Sequence, residues 1–282
     1  MRDFKESDEI IQKMKTINQE QKEYYESQFE AKKEKKSFQK KANIATNLWT
    51  ITRRKFSYMR QDVGISGYKY QLHKQWMDEI DLEEKHVLDL GCFSGNELSL
   101  WIAEHSKNYI GIDLSENAIG LLKVKLKDKK LSNANARSMD FLNNDFEDNN
   151  FDLIYAHAVL HHFRDLPPVI EEIKRILKPD GFIISVDPLQ TEPLNRLFRF
   201  LYRPFQSDKE WEFPFTRKTL KLLQAQFKVK EVQGILGMAK VGFPFLMIPG
   251  LQNFGKWLSY KGFCMIKNMQ IKWDFHLVSV GS

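Results

Sequence analysis

The chain is expected to fold as an α/β protein whose mostly parallel sheet is covered by helices on both faces. Three observations lead there. Short apolar runs recur at residues 86–90, 109–113, 151–155 and 182–186. The segments between them space their apolar residues for one helical face, and strands alternating with helices build a buried parallel sheet. The 282 residues are 42% hydrophobic and 28% charged, enough for one large α/β domain with additions and unlike a disordered chain.

Each element follows in order. Residues 1–42 are rich in Lys, Glu and Gln, contain no glycine or proline, and suit exposed or fraying helix. Tyr24, Tyr25 and Phe29 give them a small apolar face. Tyr68, Leu72, Trp76 and Ile80 recur every four residues and predict a helix before the first strand. His86–Leu90 reads as that strand, Gly91–Gly95 as a turn, and Leu98, Trp101 and Ile102 as the next helix. Tyr109–Asp113 is a strand, and Ser115 caps a helix carrying Ala118, Leu121 and Leu122. Phe151–Tyr155 is a strand. Pro167 and Pro168 open a helix with Val169, Ile170, Ile173, Ile176 and Leu177 on one face. Residues 178–181 (KPDG) read as a turn and Phe182–Val186 as a strand. Thr219–Phe227 looks helical and Lys228–Val232 extended. Ile271, Trp273, Phe275 and Leu277 alternate with polar residues, as in a half-exposed strand.

Residues 1–67 are therefore set apart as a helical N-terminal extension or lid. Residues 68–282 form the main domain, with insertions at about 188–216 and 235–268. The two cysteines, Cys92 and Cys264, rule out a disulfide framework or a four-ligand zinc site and suit a reducing, cytoplasmic compartment. The first residues lack the apolar core of a secretory signal, and no apolar run reaches the length of a membrane span. Charge is uneven. Residues 1–60 hold 15 basic and 9 acidic side chains, residues 61–189 hold 14 and 22, and residues 190–282 hold 14 and 6. The basic flanks read first as solvated helix faces, and second as attraction to an anionic membrane, nucleic acid or phosphorylated substrate.

The chemistry concentrates in Val87–Gly95 (VLDLGCFSG). A buried strand running into a glycine turn and a helix offers backbone N–H groups to a ligand at the carboxyl edge of a sheet. Asp113 ends the next strand, 22 residues after Gly91. A carboxylate at that spacing can accept two hydrogen bonds from a ribose diol; standing alone, Asp113 would read as a turn or capping residue.

VLDLGCFSG, YIGIDLS (109–115), SMDF (138–141), FDLIYAHAVLHHF (151–163) and LKPDGFIISVDP (177–188) together resemble the ordered motifs of class I S-adenosylmethionine-dependent methyltransferases, in the branch with ubiquinone- and menaquinone-type enzymes. The resemblance is strong over residues 86–188. It implies a Rossmann-like doubly wound sheet of seven strands, the last antiparallel, for which Ile271–Val280 is the candidate. It also assigns roles. Asp89 and Gly91 shape the first turn, and Cys92 and Gly95 lie beside the methionine part of the cofactor. Asp113 holds the ribose hydroxyls and Leu114 faces the adenine. Asp140 accepts from the adenine amine beside the Phe141 backbone, and Ala156, just past the fourth strand, lines the methionine end. One departure stands out: Phe93 occupies a position where the family usually carries glycine, so the turn is either reshaped or sends Phe93 outward into a lid.

Methyl transfer needs an acceptor about 3 Å from the methyl carbon and in line with the leaving sulfur, so orientation supplies much of the rate. A hydroxyl or acidic-carbon acceptor also needs a base, which suits histidine. His157, His161 and His162 cluster past the fourth strand, with His161 the first choice, His162 the second, and local hydrogen bonding the alternative role for both. No metal is expected, because these histidines lack partner ligands at suitable spacing. Tyr155–Ala158 carries no Asn/Asp-Pro-Pro-Tyr box, which argues against nucleic-acid amines as acceptors. The expected function is O- or C-methylation of a small or lipid-like molecule, with S-adenosylhomocysteine as product. The two insertions and a tyrosine-bearing lid (Tyr24, Tyr25, Tyr58) would cover the substrate, with peripheral contact at a membrane. The competing readings are a cofactor-binding but inactive scaffold and a nucleic-acid methyltransferase. The sequence does not define the oligomeric state.

Overall fold

In the computed structural model of the chain, the described residues are 16–27, 29–30, 44–191, 193–206, 209–231, 237–269 and 276–280. Five parallel strands form the centre of the sheet: β1 (His86–Leu90), β2 (Asn108–Asp113), β3 (Ala134–Ser138), β4 (Phe151–His157) and β5 (Leu177–Val186). Their spatial order is β3-β2-β1-β4-β5, so the order reverses between β1 and β4. Beyond β5 lie β7 (His276–Val280), antiparallel to it, and then β6 (Lys228–Glu231). The expected strand Ile271–Val280 is thus described only over its second half, because residues 270–275 lie outside the described residues.

Apolar runs became central strands because both of their faces are covered. On one face α3 (Ile65–Ile80), α4 (Glu97–His105) and α5 (Glu116–Asp128) pack Trp76, Met77, Ile102, Ile119 and Leu122 against Leu153, Tyr155 and Ile184. On the other, α6 (Leu166–Ile176) and α8 (Arg217–Gln226) pack Ile170, Ile173 and Leu223 against Leu88, Ile154 and Ile183. Burying one such Leu or Ile side chain contributes about 1.5–3 kcal/mol. Local signals fix the helix starts. Asn96 accepts from the Leu98 and Ser99 amides, Ser115 accepts from Ala118, and prolines open α6.

Three features differ from the sequence expectation. β3 was not foreseen as a strand. It is an edge strand (ANARS) with only Ala136 buried, so it carries almost no apolar signal. Residues 178–181 do not separate two elements: β5 runs from Leu177 to Val186 with a register shift, Phe151 opposing Leu177 and Leu153 opposing Phe182. The boundary expected after residue 67 falls inside α3, which begins at Ile65 after Gly64 in a left-handed conformation.

The remaining helices are α1 (residues 16–27), α2 (Ile44–Asp62), α7 (Pro193–Tyr202) and α9 (Gln252–Met269). Met59, Val63 and Ile65 pack with Ala239, Leu246 and Phe263, which joins α2, the start of α3, the 3-10 stretch Gly237–Met247 and α9 into a third apolar cluster. No helix among the described residues is long and apolar enough to cross a membrane.

Candidate active site

The carboxyl ends of the parallel strands share one edge of the sheet, and the polar residues singled out by the sequence gather there. After β1 the chain turns through Gly91 (φ 68°), Phe93 (φ 48°) and Gly95 (φ 67°), all left-handed. The Gly91 and Cys92 amides both donate to the Ile112 carbonyl, at 2.9 and 3.1 Å. Gly91 is required sterically as well, since a Cβ there would lie 2.5 Å from the Val159 side chain. Lys125 of α5 ties down the far side of the turn, donating to the Ser94 and Gly95 carbonyls at 2.6 and 2.7 Å. Phe93 keeps the left-handed backbone without being glycine. Its amide donates to Asp113 Oδ2 at 3.0 Å, and its ring stands 41% exposed at the mouth of the turn. Phe93 thus takes a left-handed backbone that favours glycine and sends its side chain outward.

Beneath the turn, Asp89 is 1% exposed and accepts from the Tyr109 hydroxyl at 2.8 Å. Burial is the main reason its carboxyl is pushed up to about 6. Cys92 is buried, its Sγ turned onto the backbone at Gly111, and burial pushes its thiol well up. Its sulfur therefore packs the core, and its backbone lines the turn.

Asp113 ends β2 and accepts from the Phe93 amide through one oxygen and from the Ser115 amide, at 2.9 Å, through the other. Burial raises this carboxyl and the backbone donors oppose the rise. Each oxygen keeps a second lone pair for a ligand hydroxyl. Leu114 follows, its carbonyl accepting from Ser138. Asp140 caps the 3-10 turn Phe141–Asn143, its Oδ1 accepting from the Leu142 amide and from Asn18 of α1, each at 3.0 Å. The Phe141 ring is buried in the core, which leaves its backbone at the rim.

Ala156 requires a correction. It lies inside β4 rather than past its end, fully buried and paired with Leu90 and Ser185. His157, expected beyond the strand, is its last residue. Ala158, with φ 57°, makes the exit.

The histidines divide by partner. His161 is buried, and its backbone N–H and ring Nδ1 both meet Asp187 Oδ1, at 3.0 and 2.7 Å. Asp187 also accepts from the Ser185 hydroxyl. A carboxylate on Nδ1 fixes the tautomer and leaves Nε2 as the proton acceptor. His162 donates from Nδ1 to the Trp211 carbonyl at 2.7 Å, and burial, followed by the neighbouring His161, lowers it to about 4. That is weak basicity for a catalyst at neutral pH. His157 Nε2 lies 2.7 Å from Lys69 Nζ, and burial and then Lys69 hold it near 4.

Two segments cross this edge. The Phe213 amide donates to the His161 carbonyl, and Phe215 pairs with Pro188 and Gln190, which folds residues 209–215 over the histidines. Helix α1 reaches Asp140 through Asn18, Glu116 through Lys22 (2.6 Å) and Asn117 through Glu26, and sets Tyr25 edge-on to His162. Sequence reasoning missed Asn18, Glu26, Lys69, Lys125 and Asp187 as site residues. Asp187, at the end of β5, had a usable signal as an acid closing a strand; the others had none.

A methyltransferase domain family model matches residues 81–235, more than half of the chain. The chain belongs to this methyltransferase domain family. Over 141 residues it is 31% identical to a demethylmenaquinone methyltransferase of Staphylococcus saprophyticus, covering 48% of this chain and 59% of that one. Over 136 residues it is 33% identical to a ubiquinone biosynthesis O-methyltransferase of Coxiella burnetii, covering 45% and 57%. A solved structure from Galdieria sulphuraria, provisionally assigned as a sarcosine dimethylglycine methyltransferase, shares the fold at TM-score 0.52 and 15% identity, over 75% of this chain and 83% of that one. The chain spans between 59% and 65% of the length of the demethylmenaquinone methyltransferases it matches.

Proposed function

We propose that this methyltransferase domain uses S-adenosylmethionine to methylate an oxygen or carbon of a small, lipid-like acceptor of the quinone type. The observation that carries the reading is the meeting, at one edge of the sheet, of the glycine turn pinned by Asp113 with the His161–Asp187 pair. The residues present fit the cofactor: Asp113 retains lone pairs for a ribose diol, and Asp140 keeps its Oδ2 for the adenine amine. The turn backbone from Gly91 to Gly95 would lie along the amino-acid end, and Leu114 and the Phe141 backbone would flank the adenine. The sulfonium of the bound cofactor supplies an electrophilic methyl, with S-adenosylhomocysteine as product.

The chain's own residues then have three tasks. His161 takes the acceptor's proton at Nε2 while Asp187 holds Nδ1–H and balances the imidazolium that forms. Helix α1, Tyr25 and Phe93 exclude water from the edge as a lid. We read the insertions at about 188–216 and 235–268 as substrate-covering, and β7 with β6 as the antiparallel close of the sheet on that side.

The acceptor class also sets the location. Ile248, Leu251, Phe254, Trp257 and Tyr260 form an exposed apolar row leading into and along α9, with Trp257 52% exposed. Residues 232–273 carry five lysines and no carboxylate. Aromatic side chains amid lysines suit an anionic lipid surface, so the proposal is a cytoplasmic enzyme docked peripherally on a membrane.

Isothermal titration with S-adenosylhomocysteine, followed by turnover with a demethylated quinone, tests the reading. Micromolar-range binding that Asp113→Ala weakens by about 100-fold, and turnover lost in His161→Ala but kept in His162→Ala, are expected. Absence of cofactor binding in the wild-type chain would sink it. Co-sedimentation with phosphatidylglycerol vesicles, lost in a Phe254→Ser/Trp257→Ser variant, tests the membrane contact.

A further inference from the structure

Lys69 has no role in the chemistry described so far. It projects from α3 to the end of β4, where its Nζ meets His157 Nε2 at 2.7 Å. Its other charged neighbour is Arg60 of α2, of like sign, and among the described residues no carboxylate lies within ion-pairing range of it. Asp187, the acid that acts on His157, is engaged with His161 and Ser185. Burial, and then Arg60, lower Lys69 to about 8, so it stays mostly protonated at neutral pH, while His157 stays neutral. Among the described residues, the pair therefore places one positive charge on the rim with no carboxylate paired to it. A partly buried cation without a counterion is costly, and an arriving anion removes that cost.

The place is informative. His157 pairs with Val186 of β5 and follows Ala156, which pairs with Leu90 just before the glycine turn. The Lys69 ammonium thus stands where the turn, the His161–Asp187 pair and the strand ends meet. We infer that Lys69, backed by His157, is a receiving site for an anionic oxygen of a bound small molecule. The oxygen would come from the ionised hydroxyl or carboxyl of the acceptor, or from the carboxylate at the amino-acid end of the cofactor. In the first case Lys69 would hold the acceptor as its oxyanion, which lowers the demand on His161 as a base. The inference rests on the methyltransferase reading only for the names of these two sources.

The test uses the full chain and two probes. In the first arm, 4-nitrophenol is titrated into protein saturated with S-adenosylhomocysteine below the phenol's own ionisation point, and the phenolate absorbance is followed. In the second, the affinities of S-adenosylhomocysteine and of methylthioadenosine, which lacks the carboxylate, are compared by calorimetry. Lys69→Met is expected to weaken one carboxylate- or phenolate-bearing probe by about tenfold or more, the size of a lost charge-assisted hydrogen bond. Lys69→Arg, which keeps the charge, is expected to retain most of that affinity and guards against a folding defect. Loss of the phenolate signal alone assigns the site to the acceptor. Loss of S-adenosylhomocysteine but not methylthioadenosine affinity assigns it to the cofactor. If Lys69→Met leaves both probes unchanged, or weakens methylthioadenosine equally, the inference is overturned. A wild-type chain that binds the phenolate but neither adenosine compound would retain this site while refuting the methyltransferase reading.

Discussion

Asp89 puts a charge where the fold least tolerates one. Its side chain is 1% exposed beneath the glycine turn, with the Tyr109 hydroxyl at 2.8 Å and Ser99 as a second side-chain partner. Burial outweighs those two bonds and raises the carboxyl from 3.8 to about 6. The folded chain therefore holds this proton more tightly than the unfolded chain, so stability falls as pH rises from about 4 to about 6 and stays lowered above that. A rise of roughly two pH units corresponds to about 3 kcal/mol at full ionisation. Asp89→Asn keeps the shape and the acceptor for Tyr109 and removes the charge. We expect it to be more stable than wild type by about 3 kcal/mol at pH 8, with the gap roughly halved at pH 5. Urea unfolding of both proteins at pH 8, 7, 6 and 5 measures it, and other acid-sensitive groups cancel in the comparison. An asparagine variant less stable than wild type at pH 8, or a gap that does not change with pH, would refute the reasoning.

Other expectations follow from the same edge. Gly91→Ala forces a left-handed alanine, which costs about 1–2 kcal/mol, and sets its Cβ 2.5 Å from Val159; a lowered melting temperature together with weakened S-adenosylhomocysteine binding is the expected pair of results. Asp113→Ala strands the Phe93 and Ser115 amides, and calorimetry should show cofactor affinity lowered by about 100-fold, the size of two charge-assisted hydrogen bonds. Asn18→Ala with Glu26→Ala unfastens α1 from Asp140 and Asn117; stopped-flow release of S-adenosylhomocysteine should quicken several-fold while unfolding in urea changes little, and an unchanged release rate would show that α1 is not a lid.

The central strands were legible in the sequence because parallel strands covered on both faces are mostly apolar, as His86–Leu90 and Phe151–His157 are, apart from Asp89, Asp152 and the histidines at their ends. β3 was not, since an edge strand with one buried side chain looks like a loop. Asp113 could be read because it closes a strand that local pattern reveals, whereas Asp140, two residues past the unforeseen β3, was reached only through the family resemblance. Their partners could not be read. Asp187 meets His161 from 26 residues away, Lys69 meets His157 from 88, and Asn18 meets Asp140 from 122. Such pairs are made by the order of the strands and by an added helix, and neither leaves a periodic trace. The same limit explains Ala156: β4 ends at His157, two residues beyond the expected Tyr155, and that shift at a strand end moves a side chain from the rim into the core.

Phe93 shows how sequence and structure divide the argument. The family resemblance marks it as a side chain where glycine is usual, with the turn either reshaped or sending Phe93 outward into a lid. Phe93 nevertheless takes up a glycine-like backbone, at φ 48° between Gly91 and Gly95, both also left-handed. What holds it is the hydrogen bond that its backbone N–H donates to Asp113, the same carboxylate that would grip the ribose. A non-glycine residue in this conformation costs about 1–2 kcal/mol, which is within reach of one hydrogen bond to a charged acceptor. The turn's shape and the ribose site thus depend on one side chain. The ring gained by giving up the glycine stands exposed at the mouth of the cleft, beside the edge that α1 crosses. A flat apolar group there adds nothing to the core. Under the proposed function, its effect would be to keep water from the turn once a ligand lies against it, a covering role rather than a loss of the site.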